Sequence, residues 1–184
     1  VIGRRNIQIE KATLKEKEIN LSLVDIPSVD LSEAHLDSAN LNMCSLIGAN
    51  LHNADMNFTN LERSYLCKAN MQLVSLKSAY LSGARMQEVR LCWANLEGAT
   101  LSGVDLEYAQ LENADLRGAN LTDAYLRKAK FVSSDLTHAN FTKAALHSAD
   151  FRFARFNRTN LIDADLSSAK NLTGEQLSKA ILCR

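Results

Sequence analysis

Ala114-Asp115-Leu116-Arg117-Gly118-Ala119-Asn120-Leu121-Thr122-Asp123 repeats one order with a period of five: a small residue, a short polar residue, a large apolar residue, then two variable positions. The period persists in both directions. Every fifth residue from Leu21 to Leu166 is Leu, Ile, Met or Phe, thirty positions without an interruption. Two residues before each, from Val24 onward, stands Ala, Val, Cys, Thr or Ser, most often Ala (Ala34, Ala39, Ala49, Ala164). A helix period of 3.6 or a strand period of 2 does not produce a repeat of five. A short unbroken period marks a solenoid, in which no unit buries its apolar face without neighbours.

Alternate residues of an extended segment point the same way, so the large central residue and the small one before it share the interior. A narrow interior filled alternately by Leu and Ala packs densely. The residue between them points outward and is often Asp or Asn, as at Asp30, Asn40, Asn60, Asp105 and Asn120. Short polar side chains at that point bond the neighbouring backbone and support turns. Glycine gives an independent check. Gly48, Gly83, Gly98, Gly103 and Gly118 all lie two residues after a centre, the slot expected for the positive-φ third position of a type II turn. Pro27 follows centre Ile26, where the same turn favours φ near −65°.

The A-[D/N]-L-x-x pattern of Ala39-Asn40-Leu41, Ala49-Asn50-Leu51, Ala114-Asp115-Leu116 and Ala119-Asn120-Leu121 resembles the pentapeptide repeat family, over about residues 19–170. The resemblance implies an all-β solenoid, a right-handed quadrilateral β-helix with four repeats per coil and about seven to eight coils. One internal hint agrees, since Asn20, Asn40, Asn60, Asn120, Asn140 and Asn160 share a 20-residue register. Upstream, Ile7-x-Ile9 and Ala12-x-Leu14 keep the small-large spacing out of phase, so residues 1–18 read as an early coil or N-terminal cap. Gly3-Arg4-Arg5-Asn6-Ile7 resembles the entry motif of cyanobacterial members. Downstream the period fails at Asn171. Thr173-Gly174-Glu175-Gln176 has capping-box spacing, which predicts a short helix over about 174–182 in a C-terminal cap of residues 171–184.

The 184 residues carry 21 basic and 21 acidic side chains, a formal net charge of zero. No global field gathers nucleic acid or an anionic membrane, and no apolar run reaches the roughly 18 residues of a membrane span. Neither partner is expected. The first residues, Val1 to Arg5, carry no apolar leader core, and Cys44, Cys67, Cys92 and Cys183 have no CxxC spacing. A reducing cytoplasm is the expected setting. Cys44 falls in a small-residue slot and is expected buried; Cys67 and Cys92 follow centres and are expected exposed.

Chemistry is sparse. His35, His52, His138 and His147 fall on four registers, the glycines are turn residues, and a filled rod offers no obvious cleft. No catalytic residue, cofactor or metal is predicted, and the chain does not read as an enzyme. Phe131, Phe141, Phe151 and Phe156 take centre slots and are expected in the core.

What remains is the decorated surface. With four repeats per coil, Leu73 and Trp93 share one slot in successive coils, with Cys92 beside them, and form the candidate partner-binding surface. Arg152, Arg155 and Arg158 form a second candidate edge, and Arg127, Lys128 and Lys130 another basic cluster, both diluted by neighbouring Asp. The expected function is a non-enzymatic scaffold for an unidentified protein partner, with homo-oligomerisation through the N-terminal coil end. The alternative implied by the resemblance is a DNA mimic that binds type II topoisomerase (gyrase); zero net charge opposes it.

Overall fold

The computed structural model describes residues 19–183, and the expected early coil and entry motif lie outside them. Between Asn20 and Lys170 every β-bridge is parallel and joins a residue to the one 20 positions later, as in Asn40↔Asn60, Asn120↔Asn140 and Asp150↔Lys170. Each of these bridging residues is the outward position before a centre, polar in all but Ala145. Four repeats therefore close one coil, and the chain is a four-sided parallel β-solenoid with one short extended segment and one turn per repeat.

The repeat around Leu121 shows why five residues suffice. Ala119 N–H closes the turn on Leu116 O at 3.0 Å. Asn120 N–H reaches back to Ala99 O in the preceding coil at 2.9 Å, and Leu121 N–H reaches forward to Asn140 O at 2.7 Å. Thr122 N–H is taken by the Asn120 side chain at 3.1 Å. Asp123 N–H bonds Thr142 O in the next coil at 3.0 Å. Every donor of the repeat has an acceptor, as buried backbone requires. The side-chain bond of this unit recurs from Asn40, Asn60, Asp115, Asn140 and Asn160 to the N–H two residues on. That bond is the reason the outward slot favours Asn and Asp.

The residue two after each centre has positive φ in every repeat from Leu23 to Ser168, whether glycine or not. The glycine slot of the sequence is thus the left-handed turn position. Most of its occupants carry side chains, among them Phe58, Trp93, Tyr108 and Phe153. None is Val, Ile or Thr, whereas the preceding turn position holds Ile47, Thr122, Val132 and Ile162. A branched Cβ crowds the backbone at positive φ, and the pattern obeys that exclusion.

The interior is a continuous column of centres and small residues, with Leu36 through Leu161 buried together with their Ala, Val and Cys partners. The four phenylalanines are buried as expected. Phe131 and Phe151, one coil apart, stack with centroids 5.2 Å apart, and Phe141 meets Phe131 edge-on at 5.7 Å. Where a small slot holds a hydroxyl, the hydroxyl is satisfied: Thr59 donates to Leu36 O and Thr159 to Leu136 O, at 2.8 and 2.7 Å.

The C-terminal helix is shorter than its sequence pattern suggests. Helix α1 covers Gly174–Ser178, behind a Thr173–Gln176 capping box. Gln176 Nε2 also donates to Phe151 O and Ala154 O, both at 2.9 Å, and so ties the helix to carbonyls of the last coils. Beyond Lys179 the chain becomes extended. Ile181, expected to be helical, pairs instead with Asn160; its N–H bonds Thr159 O and its carbonyl accepts from Leu161, each at 2.8 Å. Pairing with an open coil end supplies hydrogen bonds that another helical turn cannot.

Two substitution pairs test this register. Leu101→Asp buries an unpaired carboxylate and should cost more than about 4 kcal/mol, and Ala99→Phe overpacks the same layer by about 1–3 kcal/mol or more. A melting temperature like the parent's in either variant contradicts the register. At the left-handed slot, Ser133→Val should cost about 1–3 kcal/mol while Ser133→Gly is tolerated; equal denaturant midpoints would contradict the turn assignment.

Candidate functional site

Leu73 and Trp93 both sit at the left-handed turn position, so each is held on a corner of the rod by the bond its N–H makes to the next coil. Leu73 N–H donates to Cys92 O at 3.1 Å and Trp93 N–H to Glu112 O at 3.0 Å. The two are one coil apart in one corner column and are 49% and 62% exposed. Glu33 and Asn53 precede them in that column, and Asn113 and Ser133 follow. Three coils beyond Trp93, about 14 Å at the usual strand spacing, the column ends in Phe153, at 78% the most exposed large apolar side chain among those described. The 20-residue register links residues 93 and 153, but Phe153 lies within a run of core phenylalanines and is easily read as one of them.

Cys92 departs from expectation. It and Cys67 are half-buried, because each thiol turns along the coil stack. Cys67 Sγ donates to Gln87 Oε1 at 2.7 Å, and Cys92 Sγ to Glu112 Oε2 at 3.3 Å. Burial, and then the Glu112 carboxylate, push the Cys92 thiol above its ordinary value. Burial alone pushes Cys44 up to about 12. Cys92 is therefore a protonated spacer beside the Leu73–Trp93 corner and does not add to its apolar surface.

The second candidate edge is partly engaged. Arg152 pairs with Asp150 at 3.3 Å and Arg155 with Asp135 at 3.6 Å, while Arg158 has no ion pair among the described residues. Arg152 and Arg158 sit on the two corners that flank the side carrying Arg155. Arg127 pairs with Glu107 at 2.9 Å and lies 5.2 Å from the Tyr108 ring centroid. Lys128 Nζ lies at the same distance from that ring.

The surface is less smooth than a filled rod suggests. One open groove of about 740 Å³ runs along the side that carries Arg90, Gln110 and Lys130, bounded by Lys68, Tyr108 and Lys128. A second lies where Phe153, Arg155 and Asn157 meet the α1 segment. The first is walled by outward residues of successive coils that stack in columns, and the second by the last coils and the α1 segment. Among the described residues no three His, Cys, Asp or Glu side chains converge on a metal position. No helix there is long and apolar enough to cross a membrane.

Family models for pentapeptide repeats match residues 30–66, 44–83, 75–107 and 84–123, and a pentapeptide repeat region model matches residues 104–180. The chain belongs to the pentapeptide repeat family. Among solved structures it is similar to HetL, a pentapeptide repeat protein involved in heterocyst differentiation regulation from the cyanobacterium Nostoc sp. strain PCC 7120. That match has 31% identity, covers 88% of this chain and 73% of HetL, and has a TM-score of 0.62. Rfr23 from the cyanobacterium Cyanothece 51142 is 20% identical, with 90% and 89% of the chains covered and a TM-score of 0.29. QnrB1, a plasmid-mediated fluoroquinolone resistance protein, is 18% identical over 87% and 92% of the chains with a TM-score of 0.49. A comparison with curated proteins finds no match.

Thiol chemistry tests the site geometry. In the native protein at pH 8, Cys44 should not react with a disulfide reagent, and Cys92 should react more slowly than the exposed Cys183. Glu112→Gln removes the nearby charge and should speed Cys92 without bringing it to the rate of Cys183, because burial remains. Equal rates at Cys92 and Cys183 in the parent would contradict the tucked thiol.

Proposed function

We propose that this pentapeptide repeat protein is a non-enzymatic interaction scaffold that presents the Leu73–Trp93 corner to a protein partner. The supporting observation is the pair of large apolar side chains, 49% and 62% exposed in successive coils and each fixed by the bond of its own N–H to the next coil. A rigid anchor loses little entropy on binding, and exposed aromatic anchors dominate interface energetics. The similarity to HetL, a protein involved in heterocyst differentiation regulation, supports a regulatory role. In this reading the chain is a right-handed rod of seven to eight coils, with residues 1–18 as an N-terminal unit, 19–170 as the repeat array and 171–184 as the cap. Four free cysteines fit a reducing cytoplasm. The Arg152, Arg155 and Arg158 edge is the secondary surface. The gyrase-binding DNA mimic is the less favoured reading, because the charges balance at 21 against 21.

The decisive experiment compares the parent with Trp93→Ala/Leu73→Ser as bait in the source lysate. A protein retained by the parent and lost by the variant, at unchanged melting temperature, supports the corner as the contact. Identical retention removes it. A supercoiling assay separates the alternative, with gyrase expected to be unaffected at micromolar protein. Association through the N-terminal coil end is expected to appear as concentration-dependent mass in light scattering, and a strict monomer would remove it.

A further inference from the structure

The groove beside the Arg90 column is unevenly charged on a protein with no net charge. Its outward column is bridged coil by coil in the order Arg90, Gln110, Lys130, Asp150 and Lys170. Cations thus recur every second coil, at about 9.6 Å if coils are spaced like parallel strands. On the adjoining corner column stand Lys68 and Lys128, with Tyr108 between them along the stack. The acidic residues of the groove are already engaged. Glu88 pairs with Lys68 at 3.7 Å, and Asp150 accepts from Arg152 and from Asn171. Lys130 has only a long contact to Glu112, 3.8 Å, and Arg90, Lys128 and Lys170 are in no ion pair among the described residues. Arg90 and Lys170, with Lys130 weakly paired and Lys128 over the Tyr108 ring, share one side of the rod.

We propose that this groove binds the acidic stripe of a partner α-helix lying along the rod axis. A helix advances about 5.4 Å per turn, close to the coil spacing, so each turn meets roughly one coil. Carboxylates at i, i+7 and i+14 fall about 10.5 Å apart, within the reach of Arg90, Lys130 and Lys170. An extended peptide repeats its side chains about every 6.6 Å on one face and does not keep this register. Ala109, Ala129 and Ala149, which lie between the two columns in sequence, are buried inward, and the groove between the columns is open to receive the helix. The same side of the rod is bounded at its other edge by the corner that carries Leu73 and Trp93. The inference therefore deepens the scaffold reading and rests on it, by giving the partner a chemistry: a helix with a regular acidic stripe.

The test uses the full chain and two labelled 18-residue alanine-based helical peptides. One carries Glu at i, i+7 and i+14; the other carries the same three Glu spread around the helix. At about 20 mM salt, fluorescence anisotropy should show saturable binding of the striped peptide, at least fivefold weaker binding of the spread one, and loss of affinity as salt rises. Arg90→Glu/Lys170→Glu should weaken the striped peptide at least tenfold. Arg63→Glu/Lys143→Glu, with the same change in net charge on another corner, should not. Equal affinity for both peptides, or equal loss in both double variants, overturns the proposal. Tighter binding of an oligo-dT strand than of the striped peptide overturns it in favour of a nucleic-acid surface. The Trp93 bait experiment reads a different corner, so either result can fail without the other.

Discussion

Every turn of this rod from Leu23 to Ser148 depends on one residue held at positive φ whose N–H is bonded to the neighbouring coil. For a residue other than glycine that conformation costs about 1–2 kcal/mol, and a backbone hydrogen bond contributes a net 0.5–1.5 kcal/mol, roughly the same. A single coil with four such turns and no neighbour keeps its intra-turn bonds, such as Ala119 N–H to Leu116 O, but loses the inter-coil bonds that offset the strain. Stacked coils recover it in each direction, because Leu121 bonds forward, Asn120 bonds back and Asp123 anchors the turn to the next coil. The structure is therefore cooperative along one axis, and each coil is supported by the two it touches.

The same constraint sorts side chains. The interior accepts a large and a small apolar residue per repeat, and the left-handed corner rejects Val, Ile and Thr while accepting Trp, Leu, Phe and Lys. Outward slots are otherwise free. A backbone that needs so little from its corner side chains leaves them available for recognition, and in this fold function resides in the columns of decoration. The Leu73–Trp93 corner and the Arg90–Lys130–Lys170 column are two such decorations bounding one side.

Most of the architecture is legible from residues alone because one period sets both backbone and core. The glycines at 48, 83, 98, 103 and 118 mark the turn slot, and the Asn register marks the coil length. The end of the rod is less legible. Leu177, Ala180 and Ile181 have helical spacing, yet Ile181 pairs with Asn160, since an open coil edge competes with the last helical turn. The thiols of Cys67 and Cys92 are misjudged for a related reason: outwardness in a repeat says nothing about a polar partner one coil further on. Lys128 and Lys130 look like a solvated cluster in the chain, and only stacking places Lys130 in line with Arg90 and Lys170, and Lys128 in the column of Lys68 beside them. Leu73 and Trp93 are found from the register, whereas Phe153 in the same column is hidden among core phenylalanines.

Four turns per coil carry a consequence for how such a surface changes over generations. Loss or gain of one five-residue unit leaves hydrogen bonding and core composition nearly intact, yet it rotates everything downstream by a quarter turn. A five-residue deletion between residues 73 and 90 would leave Lys68 and Leu73 in place and turn Trp93, together with the Arg90, Lys130 and Lys170 column, by a quarter turn, separating Leu73 from Trp93 and Lys68 from Lys128 without unfolding the chain. Only a change of 20 residues, a whole coil, preserves the pattern. Surface variation here is angular as much as chemical, and inheritance of a binding face requires the count of repeats to be conserved modulo four.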